Sequence, residues 1–173
     1  MMAGFCTACL YSCKHANRAA AEVTAIQDVV AGGAHTGRFP LSGRTMYIHR
    51  AHTADIPKIK ELYDEAIAFQ RRQGLPYWNT LDLAVVEADI AAGAQYLLSV
   101  HKHTVGIFSF WPPSPMDEDL WQGLQPHAAR YINRIIVGRL WQGRSLFGLM
   151  LAWSERETLR LGLDRLRLDT WAD

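Results

Sequence analysis

The stretch Val137-Gly138-Arg139-Leu140-Trp141-Gln142-Gly143-Arg144-Ser145-Leu146-Phe147-Gly148 follows an apolar run that reads as a strand and opens one that reads as a helix. A helix start presents unpaired backbone N–H groups and a partial positive charge, and small residues there let an anion reach the main chain. With Arg139 and Arg144 alongside, the chemistry on offer is the cradling of a phosphate. The stretch has neither the lysine and spacing of a P-loop nor the Gly-x-Gly-x-x-Gly of a dinucleotide fold. Taken alone it also fits an ordinary strand-to-helix turn. A second cluster, Cys6-x2-Cys9-x3-Cys13 followed by His15, has soft ligands at a metal-like spacing. No second ligand pair or scaffold accompanies it, so no metal site is expected. His101 and His103 flank Lys102 in a hairpin turn, where exposed histidines are ordinary.

The elements that must position these residues alternate in type from Met46 onward. Tyr47 to Ala51 reads as a short strand. Thr53 or Asp55 then caps a helix with Pro57 in its first turn, and Ile56, Ile59, Leu62, Tyr63, Ala66 and Phe69 recur at helical spacing until Gly74. A second helix runs from about Asp82 to Gly93. Gln95 to Val100 and Thr104 to Trp111 form a hairpin, and a long loop through Pro112-Pro113-Ser114-Pro115 and the acids Asp117, Glu118 and Asp119 reaches about Ala129. Arg130 to Val137 is a strand, Gly143 opens a long helix, Gly162 closes it, and Arg165 to Trp171 is a final strand. Strand, helix, strand in this order predicts a right-handed crossover with the last two strands parallel.

The 173 residues are 49% hydrophobic and 20% charged, a globular balance at a length that favours one domain. A net charge of +1 gives no basic field for a nucleic acid, and no apolar run is long enough to span a bilayer. No nucleic acid, no membrane and a cytoplasmic location are therefore expected. Residues 130–173 carry eight arginines against five acids, net +3, which suits a small anionic ligand as well as it suits a solvated helix face. Residues 1–45, rich in Ala, Gly, Ser and Thr, read as an unstructured leader or as sequence upstream of a true start at Met46; deleting them is expected to leave the fold unchanged.

The element order over residues 46–173 resembles the GNAT superfamily of N-acetyltransferases. Ile135-Ile136-Val137 is similar to the family's Leu-Ala-Val on its fourth strand, and Gln142-Gly143-Arg144-Ser145-Leu146-Phe147 is similar to its Gln/Arg-x-x-Gly-x-Gly/Ala signature. Ile56 to Tyr63 and the Leu-Asp-Thr-Trp-Ala-Asp ending are also common in bacterial members. The resemblance implies a mixed α/β fold of acyl-CoA N-acyltransferase type, with acetyl-CoA as co-substrate and a primary amine of a small molecule or peptide as acceptor. It implies that the backbone of Ile135 and Val137 pairs with the pantetheine arm, with Ile136 between them. It also implies that Gln142, Gly143, Arg144, Ser145, Leu146 and Phe147 bind the pyrophosphate. Tyr77 and Trp78 mark the expected acceptor side, with Trp111 and Trp121 as further aromatic candidates.

Ser145 stands where the signature has glycine, Phe147 where it has glycine or alanine, and Asn133 near where several members carry an acid or histidine. No catalytic base is assigned. The family continues past its fifth strand with a helix that commonly supplies a tyrosine acid and then a strand pair. The chain is therefore expected to be a fold lacking that C-terminal segment, nearly inactive, and able to form a homodimer through its exposed last strand. The alternatives are an inactive CoA-binding or interaction module, or a truncated gene product.

Overall fold

The computed structural model describes residues 27–31, 34–41, 44–75, 80–121 and 128–168. Seven strands follow one another in space in their order along the chain: β1 (Gln27–Ala31), β2 (Ala34–Leu41), β3 (Arg44–Arg50), β4 (Gln95–Val100), β5 (His103–Trp111), β6 (Ala129–Val137) and β7 (Arg165–Arg167). Every neighbouring pair is antiparallel except β6 and β7, which are parallel, as a crossover connection requires. The helices are α1 (Ile56–Gln73), α2 (Leu83–Ala91), α3 (Pro115–Leu120) and α4 (Leu146–Arg160).

Local signals account for most of these boundaries. The Asp55 carboxylate accepts from the His52 N–H at 2.8 Å ahead of α1, and Gly74 closes that helix at φ 67°, a left-handed conformation that costs glycine nothing. Asp82 caps α2 by accepting from the Ala84 N–H at 3.0 Å. The long loop expected between 112 and 129 contains α3, started by Ser114 and Asp117 in a reciprocal capping box.

Two cores lie on opposite faces of the sheet. Ile59, Leu62 and Tyr63 of α1 and Val86 of α2 pack on Leu97, Ile107 and Ile136. Leu146, Leu149, Met150 and Trp153 of α4 pack on Ile48, Leu98, Phe108, Phe110 and Ile132. A strand covered on both sides must be buried throughout, and all six residues of β4 are. This is why Tyr96-Leu97-Leu98 is a continuous apolar run without alternation.

The expectation of an unstructured leader through residue 45 is corrected. Residues 27–31 and 34–41 are strands, and β2 pairs with β3 from Gly37↔Ile48 to Leu41↔Arg44. β1 continues the same sheet outward, from Gln27↔Arg38 to Ala31↔Ala34. The sheet therefore does not begin at Met46. The cysteine cluster lies outside the described residues. The last strand is parallel to β6 as expected but is described only as Arg165–Arg167; residues 169–173 also lie outside the described part.

Two outcomes follow from this packing. Removing residues 1–43 uncovers the β3 edge, so the shortened chain is expected to melt several degrees lower and to self-associate, in thermal denaturation and light scattering respectively. A Cβ at Gly106 would stand 2.5 Å from the Met150 methyl and 2.9 Å from the Ile136 carbonyl oxygen. The thioether can yield but the strand carbonyl cannot, so Gly106→Ala is expected to destabilise by about 1–3 kcal/mol in urea unfolding.

Candidate functional site

The unusual element is β6. On one side it pairs with β5 from Tyr131↔Trp111 to Val137↔Gly106. On the other it pairs with β7 only at Ala129, Arg130 and Tyr131. Beyond Tyr131 the described part of β7 gives it no partner. The Gly138 N–H donates to the Val105 carbonyl at 2.9 Å, so strand alternation turns the main-chain groups of Ile136 towards β5 and those of Val137 away from it.

A bulge adds to this. Asn133 pairs with Ser109 and Ile136 with Ile107, so Arg134 and Ile135 together oppose Phe108. The Phe110 N–H donates to the Ala94 carbonyl at 2.8 Å, and alternation along β5 then commits the main chain of Phe108 to β4. Ile135 consequently has its N–H and C=O on the open edge, as Val137 does. Their side chains pack on the α4 core, whereas Ile136 is buried against α1. Of the three residues singled out in the sequence, two present backbone to the edge and the third anchors the strand.

The edge leads straight into the turn before α4. A single 3-10 turn, Arg139–Trp141, is closed by the Trp141 N–H donating to the Gly138 carbonyl at 2.8 Å. Gln142, Gly143, Arg144 and Ser145 are exposed. Gly143 is left-handed at φ 73°, and nothing lies within 4 Å of a Cβ built there or on Gly148. The first main-chain bond of α4 runs from the Leu149 N–H to the Ser145 carbonyl at 3.1 Å, which leaves the N–H groups of Leu146, Phe147 and Gly148 pointing out of the helix start. The Arg144 guanidinium stacks 5.3 Å from the Trp141 ring centre, and Arg139 lies 5.7 Å from that of Phe69 on α1. Leu146 is buried and anchors the helix, while Phe147, 47% exposed, projects at the site's rim. These features fit a phosphorylated ligand: free donors, open space over two glycines and two cations.

Other expected residues fall elsewhere. Tyr77 and Trp78 lie outside the described residues. Trp121 is core: its ring stacks on Arg167 at 4.5 Å and packs edge-on against Tyr131. Asp117 is buried as the α3 cap. Register places Asn133, Ser109 and Trp111 on one face of the sheet; the Asn133 Oδ1 and Trp111 Nε1 atoms are buried there with no hydrogen-bond partner among the described residues. No group of three or more metal-ligating side chains occurs among the described residues, and no helix there is long and apolar enough to cross a membrane.

Sequence reasoning missed a polar network behind the bulge. Asp89 of α2, 3% exposed, accepts from the Arg134 guanidinium and, at 2.9 Å, from the Ser109 hydroxyl. The Arg134 Nε donates to the Ser109 Oγ at 3.3 Å, and the Gln95 Oε1 lies 3.1 Å from that oxygen. Tyr63 of α1 is near enough to feel both charges. Burial pushes its phenol up to about 12, with Arg134 opposing the rise and Asp89 adding to it. The available signal was an aspartate on the inward side of α2, between Val86 and Ile90.

A mixed sheet of antiparallel strands ending in a parallel β6–β7 pair, with helices on both faces, fits the acyl-CoA N-acyltransferase class of fold, and solved structures agree. A GNAT family acetyltransferase from Listeria monocytogenes superposes with a TM-score of 0.68 at 25% identity, covering 76% of this chain and 80% of that one. One from Streptococcus agalactiae gives 0.57 at 20% identity, covering 76% and 78%. One from Brucella melitensis, solved in complex with acetyl-CoA, gives 0.51 at 16%, covering 71% and 74%. No family model and no curated protein matches the sequence. The chain has the GNAT acetyltransferase fold.

Ser145 supplies a test of the turn. It holds φ 57° and its side chain makes no capping bond, so it carries left-handed strain with no return. Ser145→Gly is expected to leave the fold unchanged and to stabilise it by up to about 1 kcal/mol in urea unfolding.

Proposed function

We propose that the protein is an N-acetyltransferase that takes acetyl-CoA as co-substrate and acetylates a primary amine of a small molecule or peptide. The observation that carries this reading is the main chain of Ile135 and Val137, turned away from β5, running into the outward N–H groups at the start of α4. Ile135 and Val137 would hold the pantetheine arm as an added strand would be held. Gly143 to Phe147 would hold the pyrophosphate, with Gln142 at the entry and Arg144 closest in sequence to the anion.

Acetyl-CoA, when bound, supplies the thioester that the amine attacks. The chain's own contribution is orientation and polarisation: an outward N–H on β6 can donate to the thioester carbonyl oxygen, where negative charge develops. The acceptor belongs on the face carrying Asn133 and Trp111, whose buried Oδ1 and Nε1 are suited to an amine N–H and to a hydrogen-bond acceptor respectively. Tyr77 and Trp78, in the connection between α1 and α2, are proposed to border that side. Asn133 cannot remove a proton, so the acceptor's proton would leave to water. That same residue favours the second reading, a CoA-binding module without turnover. Acetyl-CoA as co-substrate also fits a cytoplasmic protein. Dimerisation through the outer edge of β7 remains part of the proposal, since no strand covers that edge among the described residues.

Titration calorimetry with CoA tests the binding half. Arg144→Glu is expected to weaken CoA at least tenfold, since a charge-assisted contact contributes about 1.5–3 kcal/mol. Phe147→Ala, which trims the rim without touching the core, is expected to bind as tightly or more so. No heat on mixing, or an unchanged affinity in Arg144→Glu, would overturn the assignment. Release of free thiol from acetyl-CoA with a panel of amines separates the enzyme from the silent binding module.

A further inference from the structure

Arg134 combines two features that ordinarily exclude each other. It is a long, branched-headed cation at φ 51°, in the left-handed region where glycine is at ease, and its guanidinium is drawn under the sheet to a buried carboxylate. Its partners come from three elements: Asp89 from α2, Ser109 from β5 and, through Ser109, Gln95 from β4. Gln95 in turn donates from Nε2 to the Phe108 carbonyl at 3.0 Å, the residue that the bulge straddles. Asp89, Ser109 and Gln95 are each at most 3% exposed, so the network lies in a place where an unpaired member would be heavily penalised. Removing the pair together would not carry that penalty, because apolar residues of similar size commonly replace a buried ion pair at little cost.

We propose that the Asp89–Ser109–Arg134 network is a positioning device that holds the β6 bulge, so that two successive residues, Arg134 and Ile135, leave the β5 ladder and the outward register of Ile135 and Val137 is fixed. Without the anchor, the extra residue can migrate along β6. A slip of one position would turn the main-chain groups of Val137 and Ile135 back towards β5 and present those of Ile136 instead. Asp89, Ser109 and Arg134 thus act through the bulge, as positioning residues. The part of the inference that concerns CoA rests on the reading of that edge as the pantetheine site. The part that concerns the register does not.

The decisive variant is Asp89→Leu combined with Arg134→Met, which removes both charges while keeping an apolar core. It is expected to unfold in urea near the wild-type midpoint, to bind CoA at least tenfold more weakly, and to change amide hydrogen exchange at Ile135, Ile136 and Val137. Arg134→Lys, which keeps the charge, is expected to recover part of both signals. Ile48→Val, a core change away from the bulge, is expected to lower stability without altering either. If the double variant keeps wild-type exchange at these three amides, the positioning role is wrong, whatever happens to CoA. If wild-type protein shows no CoA binding while exchange in the double variant changes as expected, the network holds the register and the acyl-CoA reading fails instead.

Discussion

β6 is held by β5 along its whole length on one side and, among the described residues, by β7 over three residues on the other. A backbone cannot simply stop pairing, because each N–H and C=O left without a partner costs free energy when buried. The rest of the domain is arranged around that constraint. On the paired side the ladder with β5 runs to Val137, and the Gly138 N–H bonds the Val105 carbonyl one step beyond. On the other side the bulge at Arg134 adds a residue and turns the main-chain groups of Ile135, like those of Val137, away from β5.

Holding a bent strand still takes weight on both faces. Trp153 of α4 sits 4.6 Å from the ring of Tyr96, 5.5 Å from Phe108 and 5.7 Å from Phe110, a cluster that pins α4 across β4 and β5. That cluster also sets where α4 begins, since Leu146, Leu149, Met150 and Trp153 occupy one buried stripe. The helix start therefore stands next to the β6 edge because of packing seven residues further along. Gly138 makes the junction possible from the other face: a Cβ there would press on the Leu62 methyl and the Val105 carbonyl at 3.3 Å each. Neither the edge nor the helix start alone would hold an extended phosphorylated ligand; the proposed site uses their adjacency.

Signals that are local in the chain were legible in the sequence. Pro57 and Gly74 bound α1, Asp82 caps α2, and apolar runs mark β4 and β5 because helices cover both faces. The β1–β2 hairpin was illegible by propensity, since Gly37 and Pro40 interrupt β2. Yet the residues between the paired ends, Gly32-Gly33 and Ser42-Gly43, are hairpin-turn dipeptides, and that signal was there to be read. Ser114-Pro115-Met116-Asp117 likewise encodes the α3 cap. The turn before α4 could be placed, because glycine and arginine at a strand-to-helix junction carry their own chemistry. The bulge could not. It depends on a register difference between two strands and on Asp89, twenty residues from Ser109 and forty-five from Arg134.

Two non-glycine residues at left-handed φ bracket the site, Arg134 at 51° and Ser145 at 57°, and they are not equivalent. Each gives up ~1 kcal/mol relative to a glycine in the same conformation. At Arg134 the side chain returns that cost by bonding a carboxylate and a hydroxyl, so glycine would relieve the backbone and lose the anchor. At Ser145 the side chain caps nothing. The first position is therefore constrained by its side chain and the second only by its backbone, where the outward N–H groups of α4 are the same whatever residue precedes them. A site built mainly from main-chain donors, as proposed here, would tolerate Ser145 and Phe147 at positions the GNAT signature gives to small residues, because what the ligand would meet is the helix start itself. On the proposed reading, acceptor specificity would lie elsewhere, on the face of β5 and β6 that carries Trp111 and Asn133, where side chains and not backbone groups would meet the acceptor.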